Sequence, residues 1–429
     1  MSDPTSAGQS AVPADVDITT PADVGRELKR IRLAADETQA QSAGAIGVSR
    51  ANLAQWETGR YLPSNRNARQ LDAHFNVGNT LVNLVNAARS PQGQGSTAVA
   101  KVNSLAAGDS LLDVFHQVGT SMVDYLIRDE DGNPTGWRHN LQKDQHQTAL
   151  STAYGVKTML VVGDPYIDYG QVATSLLSMQ SPEGGWRGRA GSSRPEITAA
   201  VLDALYRIGT VLSVDAGLSL MQRELDNFSR TRPYLLSSLL QTALRLGPDT
   251  DLAEGLIGDL LAARLNFEGS LLWPEKAEPD LIRPEPSVAH TARAVVALRD
   301  VLRVHDRDDV RDAVGQAVAW LVARDRPDDG VIEELIRPRP GGHGTTRVTI
   351  RHFTAAWVVQ ALSGTAWSVP VARLQAALRT VWSRYDRDLG LWSWGNGDLP
   401  VWMTLDAVTA LRAAALATAT PPVSPTHDQ

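Results

Sequence analysis

Between residues 21 and 89 apolar positions recur at three- and four-residue spacing, in short bursts punctuated by cap and turn residues. Val24, Leu28 and Ile31 mark a first helix from Val24 to Ala34. Thr38 is a good N-cap for a second helix carrying Gln39, Ala43 and Ile46, and Gly47-Val48 closes it. Ser49 caps a third helix, Arg50 to Glu57, with Leu53 and Trp56 facing inward and Gly59 ending it. Pro63-Ser64 opens a fourth helix reaching Phe75, and Leu81, Leu84 and Val85 predict a fifth. From residue 109 the helical periods lengthen, as over Val310–Ala323 and Val371–Tyr385, and turns rich in Gly, Pro and Trp separate them. Strand signals are almost absent, and short apolar runs such as Leu160–Val162 sit in helix-like context. The pattern predicts an all-α fold.

The second half repeats itself. A Ser or Thr, followed six and seven residues later by Ala-Leu, recurs as Thr198 with Ala204-Leu205, Ser237 with Ala243-Leu244, Thr291 with Ala297-Leu298 and Thr404 with Ala410-Leu411. Ala355 with Ala361-Leu362 is a variant, and Thr148-Ala149-Leu150 opens a weaker sixth. Most are preceded by a turn: Gly136-Trp137, Gly184-Gly185-Trp186, Leu272-Trp273, Asp329-Gly330 or Leu391-Trp392. Each unit is a helix pair of roughly 40–65 residues, and small Ala and Thr faces let six inner helices close a ring covered by outer ones. The bland role for Trp137, Trp186, Trp273 and Trp392 is to pack the ends of the pairs; Trp394 and Trp402 are candidates for a cavity wall.

This reading divides the 429 residues into a disordered arm (1–20), a compact helical domain (21–89), a linker (90–108), a helix-pair domain (109–415) and a disordered tail (416–429). Charge sharpens the division. The whole chain is at −7, but residues 20–90 carry nine Arg or Lys against six Asp or Glu, giving +3 there and −10 elsewhere. Any polyanion site is therefore local to the first domain. There is no cysteine, which excludes disulfides, thiolate zinc sites and Cys nucleophiles. No apolar run long enough for a membrane span and no N-terminal apolar segment is found, so a cytoplasmic location is expected.

Thr38-Gln39, Ala43, Gly47-Val48-Ser49, Trp56-Glu57 and Gly59 resemble the Cro/repressor (XRE) type of helix-turn-helix over about 65 residues. Ser42 departs from that pattern, which usually has a core Leu there. The resemblance implies double-stranded DNA as partner, bound as an inverted repeat by a homodimer. It implies base-facing positions at Arg50, Ala51 and Gln55, with Ser49 at the helix cap. Gln39 and Asn52 would hold phosphates, assisted by Arg60 and Arg66. Arg pairs bidentately with guanine and Gln with adenine.

The helix pairs, with Gly184-Gly185-Trp186 as the best turn match, resemble the α/α-toroid repeats of squalene cyclases and protein prenyltransferase β-subunits over about 300 residues. The expected architecture is thus a five-helix DNA-binding domain followed by an (α/α)6 toroid. The chemistry of those enzymes is not matched. Asp306-Arg307-Asp308-Asp309 fits the cyclase acid motif in form, but it precedes a new helix in a solvated loop. The position before the inner helix instead reads Ser287-Val288-Ala289-His290-Thr291. Without cysteine the prenyltransferase zinc set is incomplete, and Asp328-Asp329 lies in a Pro/Gly turn. No catalytic residue, metal site or cofactor is therefore assigned.

Segments just before the inner helices carry Arg189, Arg194 and Glu196; Arg283 and Glu285; Arg347, Arg351 and His352; and Asp398 with Trp402. A pocket of Trp186, Arg189, Arg194, Glu196, Arg283, His290, Arg351, His352, Trp394 and Trp402 would favour an anion through its arginines. Its aromatic side chains would suit a lipid-like group. The expectation is a sequence-specific transcriptional regulator whose toroid senses a small molecule or protein. The alternatives are a toroid serving as an interaction scaffold and, last, an isoprenoid-processing enzyme.

Overall fold

The computed structural model describes residues 21–89 and 110–419, except 144, 164–166, 189–193, 211–212, 229, 278–284, 325–330, 339–344, 366 and 396. The expected arm, the expected linker and the tail from 420 lie outside the described residues, as do Arg189, Arg283 and Asp328-Asp329. The chain divides into two compact units, Met1–Gly93 and Gln94–Gln429.

The first unit holds α1 (Pro21–Ala34), α2 (Gln39–Ala45), α3 (Arg50–Glu57), α4 (Asn65–Phe75) and α5 (Thr80–Arg89). Side-chain hydroxyls start the helices where backbone N–H groups lack partners. Thr38 accepts from the Gln41 N–H in a capping box, Ser49 from Asn52 and Ser64 from Asn67. Asp72 on α4 performs the same service for α5, accepting from the N–H groups of Leu81 at 2.8 Å and Val82 at 3.0 Å. Leu28, Ala43, Leu53, Trp56, Leu71 and Val85 share one core. Ser42, at the position expected to carry a core Leu, is buried and donates its hydroxyl to Glu37 at 2.6 Å.

Gly25 sets how closely α1 lies on α3. A Cβ there would stand 2.5 Å from the Trp56 carbonyl oxygen and 2.7 Å from that of Glu57. Gly25→Ala should therefore destabilise this unit by about 1–3 kcal/mol through overpacking, although alanine is the better helix former. Faster hydrogen exchange of the α1 and α3 amides would register the loss; unchanged protection would show that the two helices can move apart freely.

The second unit is built from α6 (Leu111–Asp124), α7 (Ala149–Val162), α8 (Tyr169–Ser178), α9 (Pro195–Arg207), α10 (Val214–Leu225), α11 (Pro233–Leu246), α12 (Asp251–Ala262), α13 (Val288–Leu302), α14 (Asp308–Ala323), α15 (Thr354–Leu362), α16 (Val371–Trp382) and α17 (Val401–Ala419). The odd-numbered members α7 to α17 each pack on the next, and α17 packs back on α7, so six inner helices close a ring. The even-numbered members lie outside and cover them. Backbone joins the first and last repeats: the Leu141 N–H donates to the Leu399 carbonyl at 2.9 Å, and Val401 to that of His139 at 3.1 Å.

The turn tryptophans explain the repeat. Trp137, Trp186, Trp273 and Trp392 are fully buried. Each indole N–H donates to a carbonyl in or beside the last turn of the preceding outer helix: Met122 (2.8 Å), Leu176 (2.7 Å), Leu260 (2.7 Å) and Val381 (2.9 Å). The backbone N–H of Trp186 and of Trp273 then donates to the repeat threonine of the inner helix, Thr198 at 3.2 Å and Thr291 at 3.3 Å. One residue thereby satisfies an orphan helix-end carbonyl and fixes the inner helix against it. In the weak sixth repeat the partner of Trp137 is Thr152, at 3.4 Å, while Thr148 is the N-cap of α7. Its register is thus four residues later than the sequence pattern suggests.

Four short antiparallel pairs join the helices: β1 (Ile127–Arg128) with β2 (Pro134–Gly136), β3 (Leu265–Phe267) with β4 (Ser270–Leu272), β5 (Val331–Pro338) with β6 (Thr345–His352), and β7 (Tyr385–Asp386) with β8 (Leu391–Trp392). The β5–β6 ribbon is eight residues per strand and was not anticipated. Among the described residues no helix is long and apolar enough to cross a membrane.

Candidate nucleic-acid interface and ring lumen

Helix α3 splits cleanly into two faces. Asn52, Leu53, Trp56 and Glu57 are buried, whereas Arg50 is exposed and Ala51, Ala54 and Gln55 are partly so. The outward strip Arg50, Ala51, Ala54, Gln55 follows helical spacing from the N-terminal end, where a recognition helix meets base edges. Ala54 was not singled out from the sequence, yet it lies on the same strip as Arg50 and Gln55. Asn52 corrects the expectation of a phosphate contact: it is only 3% exposed and turned into the unit. Ser49 is held as the cap of α3, and Arg60 and Arg66 are exposed beyond its end.

A buried ion pair fixes this geometry. Arg32 of α1 binds Glu57 of α3 through Nε and, at 3.0 Å, through Nη2, while its Nη1 donates to the Glu37 carbonyl at 2.7 Å. Gln39 of α2 donates to the same Glu57 carboxylate at 2.9 Å. Burial alone would raise the Glu57 pKa, but the hydrogen bonds from Arg32 and Gln39 outweigh it and hold the carboxyl below its ordinary value. Three helices are thus tied at one charged group. Sequence reasoning missed Arg32 and Glu57 as partners, because 25 residues separate them.

Residues 23–85 match the family model described as Helix-turn-helix domain. These residues form a helix-turn-helix domain. No curated protein matches the chain. Among solved structures, the chain is similar to a crystal structure of a protein from Actinoplanes, at 16% identity and a TM-score of 0.43, over 71% of this chain and 100% of that one.

In the second unit, outer helices and ring neighbours cover every inner helix except on its axial side. Residues there that remain partly accessible in mid-helix therefore face a lumen: Tyr154 and Lys157 on α7, Ser238 and Gln241 on α11, Arg293 and Val296 on α13, and Trp357 on α15. The three-residue spacing within each pair is that of one helical face. Asp406 of α17 joins this wall, accepting from the Trp357 indole N–H at 2.9 Å. Burial pushes its carboxyl up to about 6 against the pull of Arg293, Trp357 and Lys157. The Arg293 guanidinium lies over the Trp357 ring, its Cζ 4.0 Å from the centroid.

The expected pocket residues separate into three groups. Arg194 pairs with Glu196, and Tyr234 reaches Glu196 at 3.5 Å. His290 and His352, with ring centroids 4.9 Å apart, pack beside Tyr234 and are buried. This cluster joins the N-terminal ends of α9, α11 and α13 and the residue leading into α15, so those helix starts lie at one end of the ring. Arg351 and Trp402 flank Trp394, at 5.4 Å and 6.0 Å, and Arg384 lies 5.9 Å from the same ring. Trp186 is a correction: with its ring buried and its N–H bound to Leu176, it is packing and offers no wall. Among the described residues no group of three or more His, Asp or Glu side chains is placed to hold a metal. Asp306 and Asp308 are exposed and paired with Arg311, and Asp309 is paired with Arg307.

Proposed function

We propose that this protein is a sequence-specific transcriptional regulator that binds an inverted DNA repeat as a homodimer in the cytoplasm. The observation that carries the reading is the outward strip of α3, with Arg50 and Gln55 accessible in a domain whose three recognition-unit helices are locked at Glu57. Arg50 and Gln55 read base edges, with Ala51 and Ala54 allowing close approach to the groove. Arg60, Arg66 and the second amide hydrogen of Gln39 hold phosphates. The local charge of +3 supplies the field that brings DNA to this face.

The closed ring of six inner helices supports reading this unit as an α/α toroid like those that the repeats resemble, serving here as a sensor rather than an enzyme. Solvent-exposed, ion-paired aspartates at residues 306–309 favour that view, since an alkene-protonating acid needs a desolvated carboxyl. A ligand that prefers one arrangement of the ring shifts the dimer toward or away from the half-site spacing of about 34–36 Å.

The test is selection from fragmented genomic DNA of the source organism, with wild-type protein and the Arg50→Ala/Gln55→Ala variant in parallel. Wild type should enrich a small set of inverted-repeat fragments and the variant none. Equal enrichment by both, or none by wild type at moderate salt, would remove the regulator reading.

A further inference from the structure

We propose that the ring lumen binds a small hydrophilic oxyanion, a carboxylate or phosphate ester, anchored by the Arg293 guanidinium. The inference deepens the sensor reading above, and its regulatory consequence rests on that reading.

Arg293 is the first reason. Its Nε is buried without a hydrogen-bond partner. It makes no hydrogen bond or ion pair among the described residues; its close contact is the Trp357 face. Trp357 is itself held by Asp406, so the indole gives the guanidinium a fixed surface to rest on. A guanidinium resting on an aromatic face, with no protein hydrogen bond and its Nε buried, is complementary to an oxyanion.

The surrounding charge is the second reason. Lys157, Arg207 and Arg245, from three successive inner helices, all converge on the single carboxylate of Asp203. Three cations to one anion leave a positive surplus on that side of the ring, and their attraction holds Asp203 well below the ordinary carboxylate range despite its burial. Lys157 and Arg293 both lie within electrostatic reach of Asp406, so that carboxylate offsets part of the surplus, and the cations named still outnumber the two carboxylates.

The lumen wall is the third reason. Tyr154, Lys157, Ser238, Gln241 and Arg293 are polar at the mid-helix axial positions, and Val296 is the aliphatic exception among the accessible ones. A hydrocarbon chain placed there would strip water from charges and amides without replacing their hydrogen bonds. A compact anion with further polar groups would engage them. The lipid-like ligand expected from the ring's aromatic residues is replaced by a hydrophilic one, because those aromatics are mainly buried wedges or ring-end residues.

Calorimetric titration of the full chain at constant ionic strength tests this. The probes are inorganic pyrophosphate, citrate and octyl phosphate, which separate a phosphate, a carboxylate and a hydrocarbon-bearing anion. Pyrophosphate or citrate should bind saturably at one site per chain, and Arg293→Gln should weaken it by about tenfold or more. Arg293→Lys, which keeps the charge and loses the planar fork, should fall between, while Arg311→Gln, at an exposed position of an outer helix, should match wild type. Absence of saturable binding by both hydrophilic anions, equal affinity in Arg293→Gln protein that circular dichroism shows to be folded, or tighter binding of octyl phosphate than of either would overturn the proposal. A protein that selects no DNA but binds these anions through Arg293 would leave this site standing while the regulator reading falls.

Discussion

Glu57→Ala is expected to unfold much of the DNA-binding domain at physiological temperature. The substitution removes one partner of a pair whose side chains are 8% and 3% exposed. Arg32 would keep its charge in the interior with only the Glu37 carbonyl to receive it, and Gln39 would lose its acceptor. Breaking a buried pair from one side costs about 3–5 kcal/mol, a large part of the total stability of a domain this small. Hydrogen exchange read on peptides from residues 21–89 of the full chain should show protection collapsing there. A paired replacement, Arg32→Met with Glu57→Met, should recover most of the loss, because neither charge is then stranded. If the single and double variants lose protection equally, the ion pair is not what ties the three helices. The same pair makes the domain sensitive to acid. The folded-state pKa of Glu57 is held below its ordinary value, so this contribution is complete above the unfolded carboxyl pKa. It fades as pH falls through the lower, folded one.

The second large effect is expected in the ring. Trp273→Ala should destabilise it by about 3–5 kcal/mol, the usual cost of truncating a large buried aromatic. The Leu260 carbonyl would lose its indole donor at the end of α12, and a cavity would open between α12 and α13. Trp402→Ala, at a partly accessible position, should cost much less. Urea denaturation of both variants checks the contrast. Similar midpoints would mean that the turn tryptophans are not the joints of the helix pairs.

The reach of the sequence differs between the two units for a physical reason. Caps and turns are local, so Thr38, Ser49, Ser64, Gly47 and Gly59 placed the second, third and fourth helices to within a residue or two, whereas α1 begins three residues before the expected Val24. Gly25 and the Arg32–Glu57 pair were invisible because each acts on a helix distant in sequence. Asn52 was assigned outward from family pattern alone, whereas Asn52, Leu53 and Trp56 lie on the same inward arc of α3. In the second unit the periodic Thr and Trp residues were legible, but not what one does for the other. That ignorance is why the sixth repeat was read from Thr148 instead of Thr152.

The β5–β6 ribbon had a readable signal, since Thr346, Val348 and Ile350 alternate with Arg347, Thr349 and Arg351. Surrounding helical periods masked it. Polar stripes such as Ser238, Gln241 and Arg245 were also present in the sequence. A stripe of that kind reads as a solvated outer face until ring closure shows that the axis is the solvent-facing side.

The most direct test of the central claim is the ratio of specific to non-specific DNA affinity for wild-type and Arg50→Ala/Gln55→Ala protein. It should be measured by gel shift at two salt concentrations on a fragment recovered by genomic selection. Each lost base contact is worth about 1–3 kcal/mol of discrimination. The ratio is expected to collapse in the variant while a steep salt dependence persists, because phosphate contacts by Arg60 and Arg66 are retained. A variant whose ratio equals that of wild type would contradict the assignment of α3 as the reader of sequence.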